Sequence, residues 1–249
     1  NSKAVKKLKD SELPGARKGN YLKLPEGRSF LWILPPNSDE MNGMPFITRL
    51  FHNNLGPENK GYGQCMRSSD SEPWNNCLAC AEAGEMFRRI KDLEKTGDKE
   101  KVPLIEKIRK RAKSIMMKKK RLVQVMNLSF LYDKAGHVTG EFPKKIDDEK
   151  FAIDLWDMPY AAYQFMVDKI SEEDVDICNP EKAYPLKVKR VGTDQYTTYT
   201  AELADPIAIP QHFIEYAESK SVNLLTTIKP SSIEEMENML TGNQKTSIK

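Results

Sequence analysis

The stretch that decides the fold runs from His52 to Cys80, HNNLGPENKGYGQCMRSSDSEPWNNCLAC. It is rich in Gly, Asn, Ser and Pro, with too few apolar residues to be ordered by burial. A loop of this length inside a compact domain needs another source of order. His52, Cys65, Cys77 and Cys80 supply a candidate, falling as H-x12-C-x11-C-x2-C. The knuckle Cys77-Leu78-Ala79-Cys80 lets two sulfurs face one ion, while the distant His52 and Cys65 tie the loop down. Three thiolates and an imidazole fill a tetrahedron and leave no position open for water, the pattern of one structural Zn2+. Metal binding contributes folding free energy on the order of 10 kcal/mol, enough to order so polar a segment. A thioredoxin-like use of Cys77 and Cys80 lacks the flanking βαβ pattern. A zinc deaminase would need His-x-Glu and Pro-Cys-x-x-Cys; here His52 precedes Asn53-Asn54, and Pro73 stands four residues before Cys77.

Outward from this loop the chain alternates short strands with helices. Phe30 to Leu34, closed by Pro35-Pro36, reads as a strand, and Pro45 to Phe51 as its hairpin partner after an Asn42-Gly43 turn. Residues 81–117 turn helical, with Met86, Ile90 and Leu93 at helical spacing, a break at Gly97, and a second helix after Pro103. Leu122 to Tyr132 reads as a strand, as does Phe151 to Leu155. Pro159 to Ile170 reads as a helix whose inner side carries Tyr160, Tyr163, Met166 and Val167. Leu186 to Val191 and Tyr196 to Ala201 form a hairpin around Gly192-Thr193-Asp194, and the chain from Ile214 is helical and polar. Short strands with inserted helices suit an α+β, mainly β, OB-fold barrel that takes up a zinc-binding subdomain and helical insertions. The expected organisation is a flexible basic arm over 1–20, an OB-fold core over 21–215, and a C-terminal helix and tail over 216–249. The core would contain a zinc subdomain at 52–80 and a helical insert at 81–117.

The chain has 249 residues, 39% hydrophobic and 30% charged, long enough for a sizeable core. No apolar run approaches the roughly 20 residues of a membrane helix, and no signal-peptide core is present, so a cytoplasmic protein is expected. Few, unevenly spaced cysteines fit a reducing compartment better than a disulfide framework. The chain begins at Asn1 without an initiator methionine, as expected of a processed or recombinant fragment. A net charge of +3 says little, but its distribution is uneven. Lys107, Arg109, Lys110, Arg111, Lys113, Lys118, Lys119, Lys120 and Arg121 form a run without an acid, whereas residues 147–181 are mostly acidic. This asymmetry points to a polyanion met by one surface.

A single-strand binder combines a basic groove with rings on which bases stack. The bases here are Arg28, Lys118, Lys119, Lys120, Arg121, Lys144, Lys145, Lys187, Lys189 and Arg190; the rings in polar surroundings are Tyr62, Trp74, Tyr132, Phe142, Tyr196 and Tyr199. Trp74 sits inside the zinc loop with little local core to join. Tyr196 and Tyr199 follow Lys187, Lys189 and Arg190, so one hairpin could present cation and ring together. Trp32, Phe46 and Trp156 read as core.

The His–Cys–Cys–Cys order, with its twelve-residue first gap and closing CxxC, resembles the zinc subdomain of the T4-type phage single-stranded DNA-binding proteins, the helix-destabilising proteins. The resemblance extends to FLWILPPNSD at Phe30 to Asp39, to the basic Lys118 to Arg121 before a strand, and to Cys178, Pro180 and Leu186-Lys187-Val188-Lys189. It spans roughly residues 20–210, with the metal pattern its most specific part. The resemblance implies an OB-fold core, coating of single strands during replication, recombination and repair, self-association along DNA, and recruitment of replication proteins. It also implies a place in the DNA cleft for Trp74 and for Tyr196 or Tyr199. The chain departs from the family in a longer second cysteine gap, in Gln124-Val125 where aromatics are expected, and in a larger, more basic helical insert. In place of the family's acidic tail, Glu234, Glu235 and Glu237 are followed by Lys245 and Lys249, as expected if a tail has been removed.

The sequence thus leads to a non-enzymatic, sequence-independent binder of single-stranded DNA, in the host cytoplasm if phage-encoded. In it the metal clamp would hold Trp74 against the barrel's nucleic-acid face. Two other readings are a phage transcription cofactor that brings an RNA polymerase to melted promoter DNA, and a zinc-dependent nucleic-acid enzyme. The enzyme reading has a filled metal site and no acid–base pair, since His137 and His212 lie in unrelated segments.

Overall fold

The computed structural model describes residues 20–38, 41, 43–69, 71–147, 150–173, 175–193 and 196–243. The expected basic arm, apart from Asn20, lies outside these residues, as do Asn42 and Asp194 of the two expected turns. The elements in order are β1 (Asn20–Tyr21), β2 (Gly27–Ile33), β3 (Phe46–Leu55), β4 (Gly61–Gln64), α1 (Leu78–Lys95), α2 (Val102–Ile115), β5 (Lys118–Asn127), β6 (Ile153–Met158), α3 (Tyr160–Glu173), β7 (Leu186–Val191), β8 (Thr198–Leu203), α4 (Gln211–Lys220), α5 (Leu224–Thr227) and α6 (Ile233–Thr241). They fall into two compact units. A sheet unit comprises the chain to Thr48 and Lys120–Thr227, and a second unit comprises Arg49–Lys119 and the chain from Ile228.

The sheet unit is built on an open path of strands, β1-β6-β5-β2-β7-β8, antiparallel except for the β1–β6 pair. The two ends of the path do not pair with each other among the described residues, so the sheet is not a closed barrel. The fold is mixed α/β. Side chains alternate across a strand, and the apolar residues of β2, β5 and β7 use that alternation to build two cores. Leu31, Ile33, Val123, Val125, Leu186 and Val188 meet Ala162 and Met166 of α3 on one face. Phe30, Trp32, Met126 and Leu128 meet Phe213 and Ala217 of α4 on the other. The β7–β8 hairpin forms as the alternation requires, in a register that sets Leu186 opposite Leu203 and Val191 opposite Thr198.

β3 is a strand, but it is not the hairpin partner of β2. Both edges of β2 are already occupied: Leu31 faces Asn127 of β5 on one side and Leu186 of β7 on the other. β3 instead pairs with β4, with His52 opposite Gly63. Asn54, at the register shift near the end of β3, and Asn59, in the connection, are both at φ 56, a left-handed conformation that Asn tolerates better than most residues. Arg111 of α2 fastens this turn by donating to the carbonyls of Asn54 (2.6 Å) and Gly56 (3.1 Å) and to Asn59 Oδ1.

The second unit therefore unites what the sequence separates into a loop, an insert and a C-terminal segment. Met236 and Met239 of α6 belong to one buried cluster with Leu50, Leu55, Ala79, Ala83, Ile115 and the three loop cysteines. Gly56 admits α6 here, because a Cβ at that position would lie 2.6 Å from the Met239 carbonyl oxygen. α6 opens with a capping box, in which the Ser232 side chain accepts from Glu235 N–H and the Glu235 carboxylate accepts from Ser232 N–H.

Gln124, where the resemblance predicts an aromatic, is 3% exposed and serves as a clamp. It donates from Nε2 to Val222 O (2.9 Å) and accepts from Val222 N–H (2.7 Å). Replacement by Leu leaves the Val222 N–H unpaired, at a cost of about 1–3 kcal/mol if it stays buried, while Val222 O keeps the bond it accepts from the Asn37 amide. We expect Gln124→Leu to lower the urea midpoint of the sheet unit without changing the slope of the transition.

Candidate metal centre and nucleic-acid surfaces

Four positions in the second unit deliver the four donors. His52 lies on β3, Cys65 follows β4, Cys77 is the N-cap of α1, and Cys80 lies in the first turn of that helix. Helix geometry makes the close pair: Ala81 N–H bonds to Cys77 O at 2.8 Å, closing the first turn and turning both sulfurs to one side. The positive end of the helix favours thiolate at both positions. All four residues are buried, with His52, Cys65 and Cys77 at 0% exposure, and their donor atoms lie within 4.8 Å of one another.

The spacing can be tested against a bound ion. Metal–sulfur bonds of roughly 2.3 Å at tetrahedral angles require S···S edges of about 3.8 Å and slightly shorter N···S edges. Cys65 Sγ lies 3.8 Å from Cys80 Sγ, and His52 Nε2 lies 3.4 Å from Cys77 Sγ and 3.6 Å from Cys80 Sγ. His52 Nδ1 is 2.7 Å from the carbonyl of Ile115, the last residue of α2. That carbonyl takes the Nδ1 proton, which fixes the tautomer and leaves the Nε2 lone pair facing the sulfurs. The residues fit one tetrahedral metal ion, a donor set compatible with structural zinc.

The electrostatics favour the same occupant. Burial alone would lower the basicity of His52, but hydrogen bonds with Cys65 and Cys77 and with the Ile115 carbonyl lift its pKa to about 9. Hydrogen bonds from Cys65 and Cys80 pull the Cys77 thiol down, while those with Cys65 and Cys77 push Cys80 up. Such a cluster holds negative charge that only protons or a cation can balance in an apolar shell. A metal ion would replace those protons, so its binding is linked to pH. Cys178, by contrast, is buried in the sheet unit's core, where burial raises its thiol well above the ordinary range and leaves it inert.

The loop between the ligands also carries polar contacts of its own. Arg67, 2% exposed, donates to Glu72 O at 2.9 Å, and Glu72 Oε1 accepts from Ser68 N–H at 3.0 Å. Trp74 opens a short 3-10 turn just before Cys77, with its carbonyl accepting from Cys77 N–H at 3.2 Å. Its ring lies over Gly84 of α1 yet stays 45% exposed. Tyr62 on β4 is also exposed and leans on Phe51, with ring centroids 5.6 Å apart. Lys118 and Lys119 are exposed at the start of β5. The metal unit thus presents two rings on a backbone that the four donors hold.

In the sheet unit the expected surface divides. Arg28 and Lys189 stand directly opposite on β2 and β7, so they share one face, and both are exposed. Lys187 is on that face too, but it is bound to Glu202 (2.6 Å) and to Ala135 O (2.9 Å). Arg190 pairs across the hairpin with Tyr199 on the reverse face, where Tyr199 packs against the core. Tyr196 is the most exposed ring of the set, at 78%. Lys120 is engaged by Asp157 at 3.1 Å. Arg121 lies over the Tyr163 ring, 4.4 Å from its centroid. Tyr132 and Phe142 are not the stacking platforms that their polar sequence neighbours suggest. Tyr132 stacks on Phe30 at 4.8 Å and donates its hydroxyl to Asp205 O, and Phe142 packs on Phe213 at 4.8 Å.

The site the chain builds is a buried four-donor cluster able to hold one metal ion, with Trp74, Tyr62, Lys118 and Lys119 exposed in the same unit. Comparison with known protein-family models and with curated proteins finds no match to this chain. Among the described residues no helix is long and apolar enough to cross a membrane.

One tightly held metal ion per chain is expected by elemental analysis. Cys77→Ser or His52→Ala should abolish stoichiometric metal and loosen the second unit, seen as lost helical circular dichroism and early proteolysis near Cys65. Because protons compete for the same donors, metal should be released on acidification and retained at neutral pH; metal-free protein purified without chelator would contradict the assignment.

Proposed function

We propose that this protein binds single-stranded DNA without sequence preference and without catalysis, and that the metal it holds is a structural Zn2+. The single observation that carries the reading is the coupling of a closed centre, one imidazole with three thiolates, to exposed rings in the same unit. Trp74 precedes the ligand Cys77 by three residues, and Tyr62 precedes the ligand Cys65 by three. A filled tetrahedron offers no site for a reacting water, so its use is to hold the backbone. Rings held in this way, together with the exposed bases Lys118 and Lys119 of the same unit, suit stacked bases and tracked phosphates; Arg28 and Lys189 offer the sheet unit its own pair of exposed cations. Base-stacking rings on separate elements favour single strands over duplex, whose bases are already stacked on one another.

The antiparallel run β6-β5-β2-β7-β8 is the part of the sheet that an OB-type strand-binding surface would use. The His–Cys–Cys–Cys spacing aligns the reading with the T4-type phage proteins that coat single strands in replication, recombination and repair. Association with replication proteins, and with further copies along a strand, belongs to the same proposal.

Fluorescence titration with single- and double-stranded oligonucleotides across a salt series tests this. Single strands should bind more tightly, with affinity falling steeply as salt rises. Equal affinity for duplex, or no salt dependence, would refute it. Trp74→Ala should weaken single-strand binding by roughly five- to a hundredfold, the equivalent of one lost stack, while metal content stays at one per chain.

A further inference from the structure

A second ring-and-cation arrangement lies wholly within the sheet unit, at Arg121 and at two tyrosines that the sequence assigns to the inner side of a helix. β5 and β6 are registered so that Arg121 stands opposite Met158, and Tyr160 opens α3 two residues later. α3 turns Ala162 and Met166 into the core and leaves Tyr163 at its rim, half-buried, with Phe46 edge-on at 5.3 Å. The Arg121 guanidinium caps this rim over the Tyr163 ring. Tyr160 comes next, its ring centroid 6.3 Å from that of Tyr163. The inner-side assignment of Tyr160 is therefore overturned: it is 71% exposed.

Two features set this apart from a solvated tyrosine beside a structural arginine. The Tyr160 hydroxyl donates to Gln164 Oε1 at 3.0 Å, and Gln164 donates in turn to Asp168 at 2.8 Å, which holds the exposed ring along the helix. A ring fixed before binding loses little entropy on stacking. Arg121 Nε is buried without a hydrogen-bond partner, and no carboxylate pairs with this guanidinium among the described residues. Buried donors ordinarily find partners; here the ring covers the Nε side, and the terminal nitrogens of a guanidinium that no carboxylate pairs are suited to the oxygens of a phosphate.

We propose that Arg121, Tyr160 and Tyr163 form a nucleotide subsite, with one base of a bound strand stacking on Tyr160 and an adjacent phosphate held by Arg121. The subsite rests on the single-strand reading above and extends it to α3, which that reading does not use. Tyr163 acts as a positioning residue: it supports the guanidinium and does not meet the base.

The experiment is binding of a fluorescein-labelled oligothymidylate to the full chain and its variants, with thymidine monophosphate as competitor. Tyr160→Ala should weaken oligonucleotide binding about tenfold, the loss of one stacked base. Because the ring is exposed, the thermal midpoint and metal content should stay unchanged. Tyr160→Trp, which retains a stacking face, should restore the lost affinity. Arg121→Ala should weaken binding and flatten the slope of log affinity against log salt by about one, as for one lost phosphate contact. If Arg121→Ala proves unstable, Tyr160→Ala and Tyr160→Trp decide the matter. Wild-type protein that binds no oligonucleotide overturns both this subsite and the reading beneath it. Binding that is weakened by Trp74→Ala but unaffected by Tyr160→Ala overturns the subsite alone. Competition by micromolar thymidine monophosphate would assign the site to a free nucleotide and overturn its place on a strand.

Discussion

Three buried sulfurs and an imidazole, gathered within 4.8 Å, make an arrangement that a polypeptide does not hold together by itself. Their negative charge repels, and the apolar shell of Leu50, Leu55, Ala79 and Ile115 offers nothing to solvate it. A cation at the centre would turn that repulsion into four bonds. The loop, the first turn of α1, the β3–β4 hairpin and the end of α2 all meet at these donors, so the second unit depends on this one constraint. α6 reaches the same cluster through Met236 and Met239 and depends on it in turn.

The basic insert takes on a different meaning in this light. Arg111 is not a free charge on a solvated helix, since it holds the left-handed turn between β3 and β4. Arg109 is engaged by Glu94 and Glu106. The last carbonyl of α2 orients the metal-binding imidazole. Much of what looks like a polyanion-binding run is framework for the metal centre, and Lys107, Lys110 and Lys113 form the solvated remainder. In the sheet unit, likewise, Lys187 and Lys120 are held by Glu202 and Asp157. Surface ion pairs of this kind contribute little to stability, but they remove cations from the pool available to a strand.

The candidate site was legible in the sequence where chemistry is carried by spacing. The two-residue gap between Cys77 and Cys80 and the distances to Cys65 and His52 identify all four donors, because few other uses bring those residue types together. The exposure of Trp74 followed from its polar neighbours. Tyr132 shows the limit of the same argument: its neighbours in sequence are polar, yet Phe30 and Asp205, distant in sequence, receive its ring and hydroxyl. Tyr160 fails in the opposite sense. Its helical spacing from Tyr163 and Met166 suggests one buried face, but the core ends at Tyr163 and leaves the first residue of the helix outside.

Local pattern by itself determined the strands β2, β7 and β8, the break between α1 and α2, and the metal-binding loop. Alternation, glycine breaks and ligand spacing all act over short stretches of chain. Strand partners were decided only in three dimensions. The assignment of β3 to β4 depends on β2 having both edges filled by β5 and β7, and no local pattern records which edges are taken. The same holds for α6, whose place in the second unit rests on a glycine at position 56 leaving room for the Met239 backbone. Whether a cation is paired or a ring covered depends on residues far along the chain, and folding alone brings them together.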